Sequence, residues 1–354
     1  MSDLEWTTVI ARLCSGKDLT VDQAYAMMDS VMSGELGETK LSSFLTALRV
    51  KGESIDEVRG LADAMQDHAR RIDVPTDVLD IVGTGGDGAH TVNISTMAAI
   101  VIASTGIPVV KHGNRAATSA CGSADVLERL GINLELEPDH LARLLEEVGI
   151  TFLFANRFHP SMKYAASVRR DLGFPTVFNI LGPLTNPAKP QACAIGVSRP
   201  EAAEIMAGVF ASRGTRALVF NGARRGLDEL STTEPAHLWV AEYDKVQHMI
   251  IDPVEHLGLE PATVDDLRGG DAQVNARVVK DLCEGATGAI RDAVALNAAA
   301  GIVAYRILGS AQRPHDQDSI IAALRSGYAQ ACEAIDTGAT TRTLSRWVEA
   351  SSDK

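Results

Sequence analysis

The stretch from Asp80 to Glu128 limits what this chain can fold into. It reads Asp80-Ile-Val-Gly-Thr-Gly-Gly-Asp-Gly88, then Asn93-Ile-Ser-Thr96, then Lys111-His-Gly-Asn-Arg115, and closes with Cys121-Gly-Ser-Ala-Asp125. Gly- and Ser-rich turns here follow hydrophobic runs in close succession. Glycine lets the backbone turn tightly and approach a ligand, and a turn that leads into a helix presents unpaired N–H groups to an anion. A strand–helix alternation delivers several such turns to one edge of a sheet.

The flanking periodicity agrees. From Val78 onward, strands at 78–82, 108–112 and 151–155 alternate with helices at 94–104, 123–130 and 140–148, the last with Asp139 as its expected cap. Gly106, Gly131 and Gly149 stop the helices. The same alternation resumes with strand 192–197, helix 200–213 with Pro200 in its first turn, and strand 217–220. A hairpin, 238–242 and 246–251, turns around Tyr243-Asp244-Lys245. Helices near 272–284, 287–308, 315–334 and 338–350 complete the chain. The fold class this predicts is α/β: a large domain, residues 74–354, with a mostly parallel central sheet flanked by helices.

Residues 1–73 have a different period. Apolar residues recur at helical spacing over 4–14, 41–50 and 55–69, and Thr20/Gln23 and Ser54/Glu57 have the spacing of capping boxes. A small N-terminal helical domain is expected there. Residues 160–190 interrupt the strand–helix rhythm with one helix and a proline-punctuated connector, Pro175 to Pro187.

Charge and cysteine usage exclude several function classes. The net charge of −13 leaves no basic stripe for nucleic acid. The apolar helix at 287–308 carries Arg291, Asp292 and Arg306, so it is expected in a core and not in a membrane. Five cysteines scattered singly, with no Cys-x-x-Cys pair, and an acidic N-terminus without a signal-peptide core point to the reducing cytoplasm.

In a field this negative, a phosphate site needs a local positive island, and Lys111 to Arg115 is the candidate. The glycine loop alone reads equally as a flexible turn, and it matches neither the dinucleotide fingerprint nor the Walker loop. Beside Lys111-His-Gly-Asn-Arg115 and the hydroxyls of Thr118, Ser119 and Ser123, it reads as half of a cradle for a phosphate-dense ligand. Asp228 and Glu229, just after a strand, form an acidic pair suited to a hard cation such as Mg²⁺ that bridges to phosphates. Arg169 or Arg170 has the fork to hold a carboxylate. The histidines lack metal-ligand spacing.

These motifs, with Met32-Ser-Gly-Glu35, Phe44-Leu-Thr-Ala-Leu-Arg-Val-Lys-Gly-Glu53, His159-Pro-Ser-Met-Lys163, Phe178-Asn-Ile-Leu-Gly-Pro-Leu-Thr-Asn-Pro187 and Leu227-Asp-Glu-Leu-Ser231, resemble the anthranilate phosphoribosyltransferases almost end to end. The general plan is also similar to pyrimidine nucleoside phosphorylases, but the Lys-His-Gly-Asn-Arg and Asn-Ile-Ser-Thr wording belongs to the anthranilate enzymes. The resemblance implies transfer of a phosphoribosyl group from phosphoribosyl pyrophosphate (PRPP) to anthranilate in tryptophan biosynthesis, with Mg²⁺. It also implies a homodimer joined through helical domains to which residues 160–190 return.

Residue by residue, the resemblance implies that Gly83, Gly86, Asp87, Thr91, Asn93, Ile94, Ser95, Thr96, Lys111, His112, Gly113, Asn114, Arg115, Ala116, Ala117, Thr118, Ser119 and Ser123 hold PRPP. It implies metal binding by Ser95, Asp228 and Glu229, and anthranilate contacts from Gly83, Asn114 and Arg169. Lys111, Asn114 and Arg169 are the expected catalytic residues. One departure is Gly222-Ala-Arg-Arg-Gly226, where the family usually has small or acidic residues before Leu-Asp-Glu. Arg224 or Arg225 is expected to shield the acidic loop or to touch pyrophosphate.

Overall fold

The structure, a computed structural model, describes residues 3–116, 120–308 and 316–352. In chain order its helices and strands are α1 (Asp3–Cys14), α2 (Val21–Met32), α3 (Glu38–Lys51), α4 (Ile55–Asp67), β1 (Leu79–Gly83), α5 (Ile94–Ser104), β2 (Val109–Gly113), α6 (Ser123–Leu130), α7 (Pro138–Val148), β3 (Ile150–Phe154), α8 (Ala155–Phe158), α9 (Lys163–Leu172), α10 (Phe178–Leu181), β4 (Ala192–Gly196), α11 (Pro200–Ser212), β5 (Arg216–Gly222), β6 (Ala236–Glu242), β7 (Lys245–Ile251), α12 (Pro253–Leu257), α13 (Ala272–Cys283), α14 (Ala289–Ile302), α15 (Gln317–Asp336) and α16 (Ala339–Ser352). They divide into two units. The smaller comprises Met1–Arg71 with Ala155–Pro187, and the larger Ile72–Phe154 with Ala188–Lys354.

In the smaller unit both capping boxes form, Thr20 with Gln23 and Ser54 with Glu57. Glu57 does more than cap. Fully buried, it accepts from the N–H of Leu19 at 2.9 Å, from the N–H of Ser54 at 2.8 Å and from the Lys51 ammonium at 2.8 Å, tying three segments together. Helices α2 and α4 cross so closely at Gly60 that a Cβ there would lie 2.2 Å from the Val21 carbonyl, which explains a glycine inside a helix despite its cost. The returning segment is bound in the same way, by Ser167 Oγ to Glu38 at 2.7 Å and Gln66 Nε2 to the Asn186 carbonyl at 2.7 Å.

The larger unit is built on a seven-stranded sheet in the order β3-β2-β1-β4-β5-β6-β7. The first five are parallel, and β6 and β7 form an antiparallel hairpin whose turn residues Tyr243 and Asp244 both have positive φ, 46° and 60°. Helices α5 and α14 are buried nearly all round, as a sequence apolar on every face requires. Gly301 on α14 makes their approach possible, since a Cβ there would meet Ile102 at 2.6 Å and Leu79 at 2.9 Å. Among the described residues no helix is long and apolar enough to cross a membrane. One local expectation is corrected. Pro138, and not Asp139, begins α7, with Glu137 at the N-cap; proline's fixed φ suits the first helical position.

Candidate active site

Strand order places the site. The chain lays β1, β2 and β3 outward in one direction, then returns to put β4 and β5 on the other side of β1. The carboxyl ends of β1 and β4 therefore flank a topological switch point, where loops diverge and leave a crevice. Gly83 and Gly196 end these two strands and face each other in register. Against both lies Asp228. A Cβ on Gly83 would sit 2.5 Å from its carboxylate, and one on Gly196 1.6 Å from its backbone oxygen. Two glycines without side chains are what admits the acidic loop to the switch point.

Asp228 accepts from the Gly85 N–H at 2.6 Å, so the loop after β1 and the loop after β5 form one surface. Behind them, buried Asn297 on α14 clamps the acidic loop at Leu230. Its Oδ1 accepts from the Leu230 N–H at 3.2 Å, and its Nδ2 donates to the Leu230 carbonyl at 2.8 Å. Glu229 lies near the start of α5, where the Ser95 backbone and the helix dipole favour its charged form. Burial, then the neighbouring Asp87, raises Asp228 to about 7, and burial with the Asp228 charge raises Glu229 well above the carboxylate range. Asp87 holds the Ala89 N–H at 3.0 Å with one oxygen, while the other is buried and no described residue supplies it a donor; its carboxylate lies close to that of Asp228.

The expected positive island is not free. Lys111 is fully buried; its ammonium donates to the Ile81 carbonyl and, at 3.2 Å, to Ser95 Oγ. Burial lowers it to about 8 against the opposing pull of Asp80 and Glu229. Arg115 is engaged with Glu128 at 2.7 Å and Asp125 at 3.0 Å, and its guanidinium lies over the Phe154 ring. Both cations, expected as ligand contacts, have protein partners in the fold: Lys111 inside the sheet and Arg115 against two carboxylates of α6. Asp87, Asp228 and Glu229 thus give this part of the crevice an excess of acidic groups that a divalent cation would offset.

The residues fit magnesium. Among the described residues no three His, Cys, Asp or Glu side chains form a ready-made cage. Asp228, Glu229 and the Ser95 hydroxyl instead offer a partial oxygen set of the kind Mg²⁺ completes with water and phosphate oxygens. The raised carboxyls and the buried Asp87 oxygen are the charge excess such an ion removes.

The other predicted residues of the larger unit that the structure describes make the following contacts. Asn93 donates to the Cys121 carbonyl at 3.1 Å and accepts from Asn275 Nδ2 at 2.8 Å. Ile94 is buried at the start of α5, and Thr96 Oγ donates to Ser123 Oγ at 3.1 Å. Gly86 turns with φ 84°, and Thr91 pairs with Arg268. His112 is buried, its N–H donating to Asp80, and Gly113 ends β2. The Asn114 carbonyl accepts from the Ala124 N–H. Ala116 and Gly122 both donate to Asp125 Oδ2, at 3.1 and 2.9 Å. Ala117, Thr118 and Ser119 lie outside the described residues. Arg169 belongs to the smaller unit, on α9, where its guanidinium lies 5.2 Å from the Phe178 ring centre and burial lowers its pKa.

Sequence reasoning missed Gly196, Asn275 and Asn297. Each sits in an otherwise regular strand or helix with no motif around it, so no local pattern marks it. An asparagine inside the all-apolar run of α14 was the one available signal.

Residues 7–69 match the family described as "Glycosyl transferase family, helical bundle domain", and residues 75–341 match "Glycosyl transferase family, a/b domain". The chain is 52% identical over 352 residues to an anthranilate phosphoribosyltransferase of Thermobifida fusca, covering 99% of this chain and 98% of that one. Its structure is similar to the crystal structure of the anthranilate phosphoribosyltransferase from Thermus thermophilus, with TM-score 0.87, 39% identity, and 98% and 99% of the two chains covered. It is also similar to the Saccharomyces cerevisiae enzyme in complex with PRPP and Mg, with TM-score 0.86, 28% identity and 99% of each chain covered.

Proposed function

The chain belongs to the anthranilate phosphoribosyltransferases, and from that membership we propose which of its residues carry the reaction. It transfers the phosphoribosyl group of PRPP to the amine of anthranilate, giving N-(5-phosphoribosyl)anthranilate and pyrophosphate in tryptophan biosynthesis, with Mg²⁺ as cofactor. The observation that best supports the assignment of roles is the switch-point crevice, with Asp228 seated against Gly83 and Gly196 and joined to the glycine loop through Gly85.

The ribose C1–diphosphate bond breaks as the anthranilate nitrogen bonds to C1, and the amine proton leaves to solvent. An arylamine is neutral and nucleophilic near neutral pH, so a strong base is not needed; departure of the diphosphate is the harder event. The glycine loop at Gly83 and Gly86 receives its oxygens, with the dipole of α5 favouring the anion. Asp228, Glu229 and Ser95 would hold Mg²⁺, which supplies positive charge to the leaving group when bound. Lys111 positions rather than touches: it fixes Ser95 and offsets Glu229 from inside the sheet. Arg115 is held by Asp125 and Glu128 of α6, and Asn114 beside it is assigned to the acceptor. Arg169 pairs with the anthranilate carboxylate.

A homodimer through the smaller unit is part of this reading. An apolar cleft of about 770 Å³ runs between α1 and α3, lined by Ile10, Leu13, Cys14, Ala47 and Val50, and Val50 is 82% exposed. A second copy of the chain is its proposed occupant. That none of the five cysteines is in a disulfide supports a cytoplasmic setting.

Loss of anthranilate fluorescence on adding PRPP tests the reaction. Complete dependence on Mg²⁺ is the expected result; no loss under any metal condition overturns the reading.

A further inference from the structure

The crevice has a wall that the reaction as described leaves unused. A cavity of about 730 Å³ in the larger unit lies between Asp87 and His90 of the glycine loop, Arg224, Arg225 and Glu234 of the β5–β6 connection, and Arg268. The backbone of the Arg-Arg turn is fixed. Buried Glu234 accepts the N–H groups of Arg224 and Arg225 on one oxygen, at 2.5 and 2.8 Å. Its other oxygen faces Gly222 so closely that a Cβ there would lie 2.4 Å away. The turn therefore presents two exposed guanidinium groups from an anchored main chain.

Neither guanidinium makes a hydrogen bond or ion pair with another described residue, whereas Arg268 is committed to Asp265 at 2.5 Å. Across the cavity His90 holds a left-handed conformation, φ 54°, which a non-glycine residue adopts only at a cost. It is secured by the Gly269 N–H on its carbonyl at 2.8 Å and by the pairing of Thr91 with Arg268. Beside it is the buried Asp87 oxygen to which no described residue donates a hydrogen bond. One wall thus offers uncommitted cations and the other an uncommitted carboxylate oxygen. A diphosphate accompanied by a divalent cation satisfies both; a neutral ligand satisfies neither, and a bare carboxylate satisfies only the cationic wall.

The geometry points to Arg224 and Arg225 as a subsite for the diphosphate group beside the glycine loop, gripping its oxygens with the forked geometry of guanidinium. The inference rests on the crevice being the PRPP site, and goes beyond it by adding two side-chain cations to the leaving group's contacts with the glycine loop.

Calorimetric titration of the full chain with inorganic pyrophosphate in excess Mg²⁺, and in parallel with PRPP, tests it. Arg224→Ala/Arg225→Ala is expected to weaken pyrophosphate binding about tenfold or more, and Arg224→Lys/Arg225→Lys to recover part of the loss by keeping charge without the fork. A larger loss for pyrophosphate than for PRPP assigns the subsite to the free product. An equal loss assigns it to the diphosphate of bound PRPP, and both outcomes support it. Unchanged affinity for both ligands in the alanine variant overturns it. If the wild-type chain consumes anthranilate with PRPP while the variant binds pyrophosphate normally, the subsite alone fails. If the wild-type chain shows no turnover, the PRPP reading fails and the subsite with it.

Discussion

At the scale of single residues, the site depends on which atoms are missing as much as on which are present. Gly83 and Gly196 leave room for Asp228, and without that room the acidic loop cannot reach the switch point. Gly83 stood out in the sequence because a turn follows it. Gly196 did not, because its reason is a neighbour more than thirty positions away in the chain. Lys111 and Arg115 were conspicuous as cations, but a sequence does not say whether a charge points to solvent or to Ile81 and Glu128. The division of labour separates two substitutions. Arg169→Ala should raise the KM for anthranilate about 10- to 100-fold, the worth of a charge-assisted hydrogen bond, with a smaller change in kcat. Asp228→Asn with Glu229→Gln should lower kcat by on the order of a hundredfold or more and flatten the metal response. Steady-state kinetics with both substrates varied checks this; equal effects on both parameters would remove the division.

At the scale of elements, most of what builds the site followed from local chemistry. Strand–loop–helix alternation, glycine stops and both capping boxes form where residue type and spacing require them. What local chemistry could not supply is how one element holds another: Asn297 of α14 clamping the acidic loop, or Asn275 of α13 steadying Asn93 before α5. The α1–α3 cleft is a second case, since its apolar face reads in the sequence as an ordinary helix seam. If a second copy covers it, Val50→Glu places a charge in a desolvated interface, and sedimentation velocity should show the dimer shifting toward monomer. A wild-type chain that sediments as a monomer would contradict the proposed assembly.

At the scale of the molecule, the α/β class was readable from the change of period at Val78. The seven-strand order was not, since which side of β1 receives β4 depends on packing across the whole sheet. That order has an electrostatic consequence. It gathers Asp87, Asp228 and Glu229 at one crevice and leaves the nearest buried cation, Lys111, only partly able to offset them. A carboxyl whose folded pKa lies above its unfolded value stabilises the fold while protonated, and that stability is lost as pH rises from the ordinary carboxylate range through about 7. A bound divalent cation favours the ionised pair and reverses the penalty.

Thermal unfolding of the full chain at about pH 5 and about pH 8, with and without Mg²⁺, therefore tests the metal assignment most directly. Mg²⁺ should raise Tm by several degrees at the higher pH and far less at the lower. Asp228→Asn/Glu229→Gln should raise the metal-free Tm at the higher pH and abolish the Mg²⁺ response. A Mg²⁺ shift that is the same at both pH values, or that survives the double substitution, would show that the acidic loop is not where the metal binds.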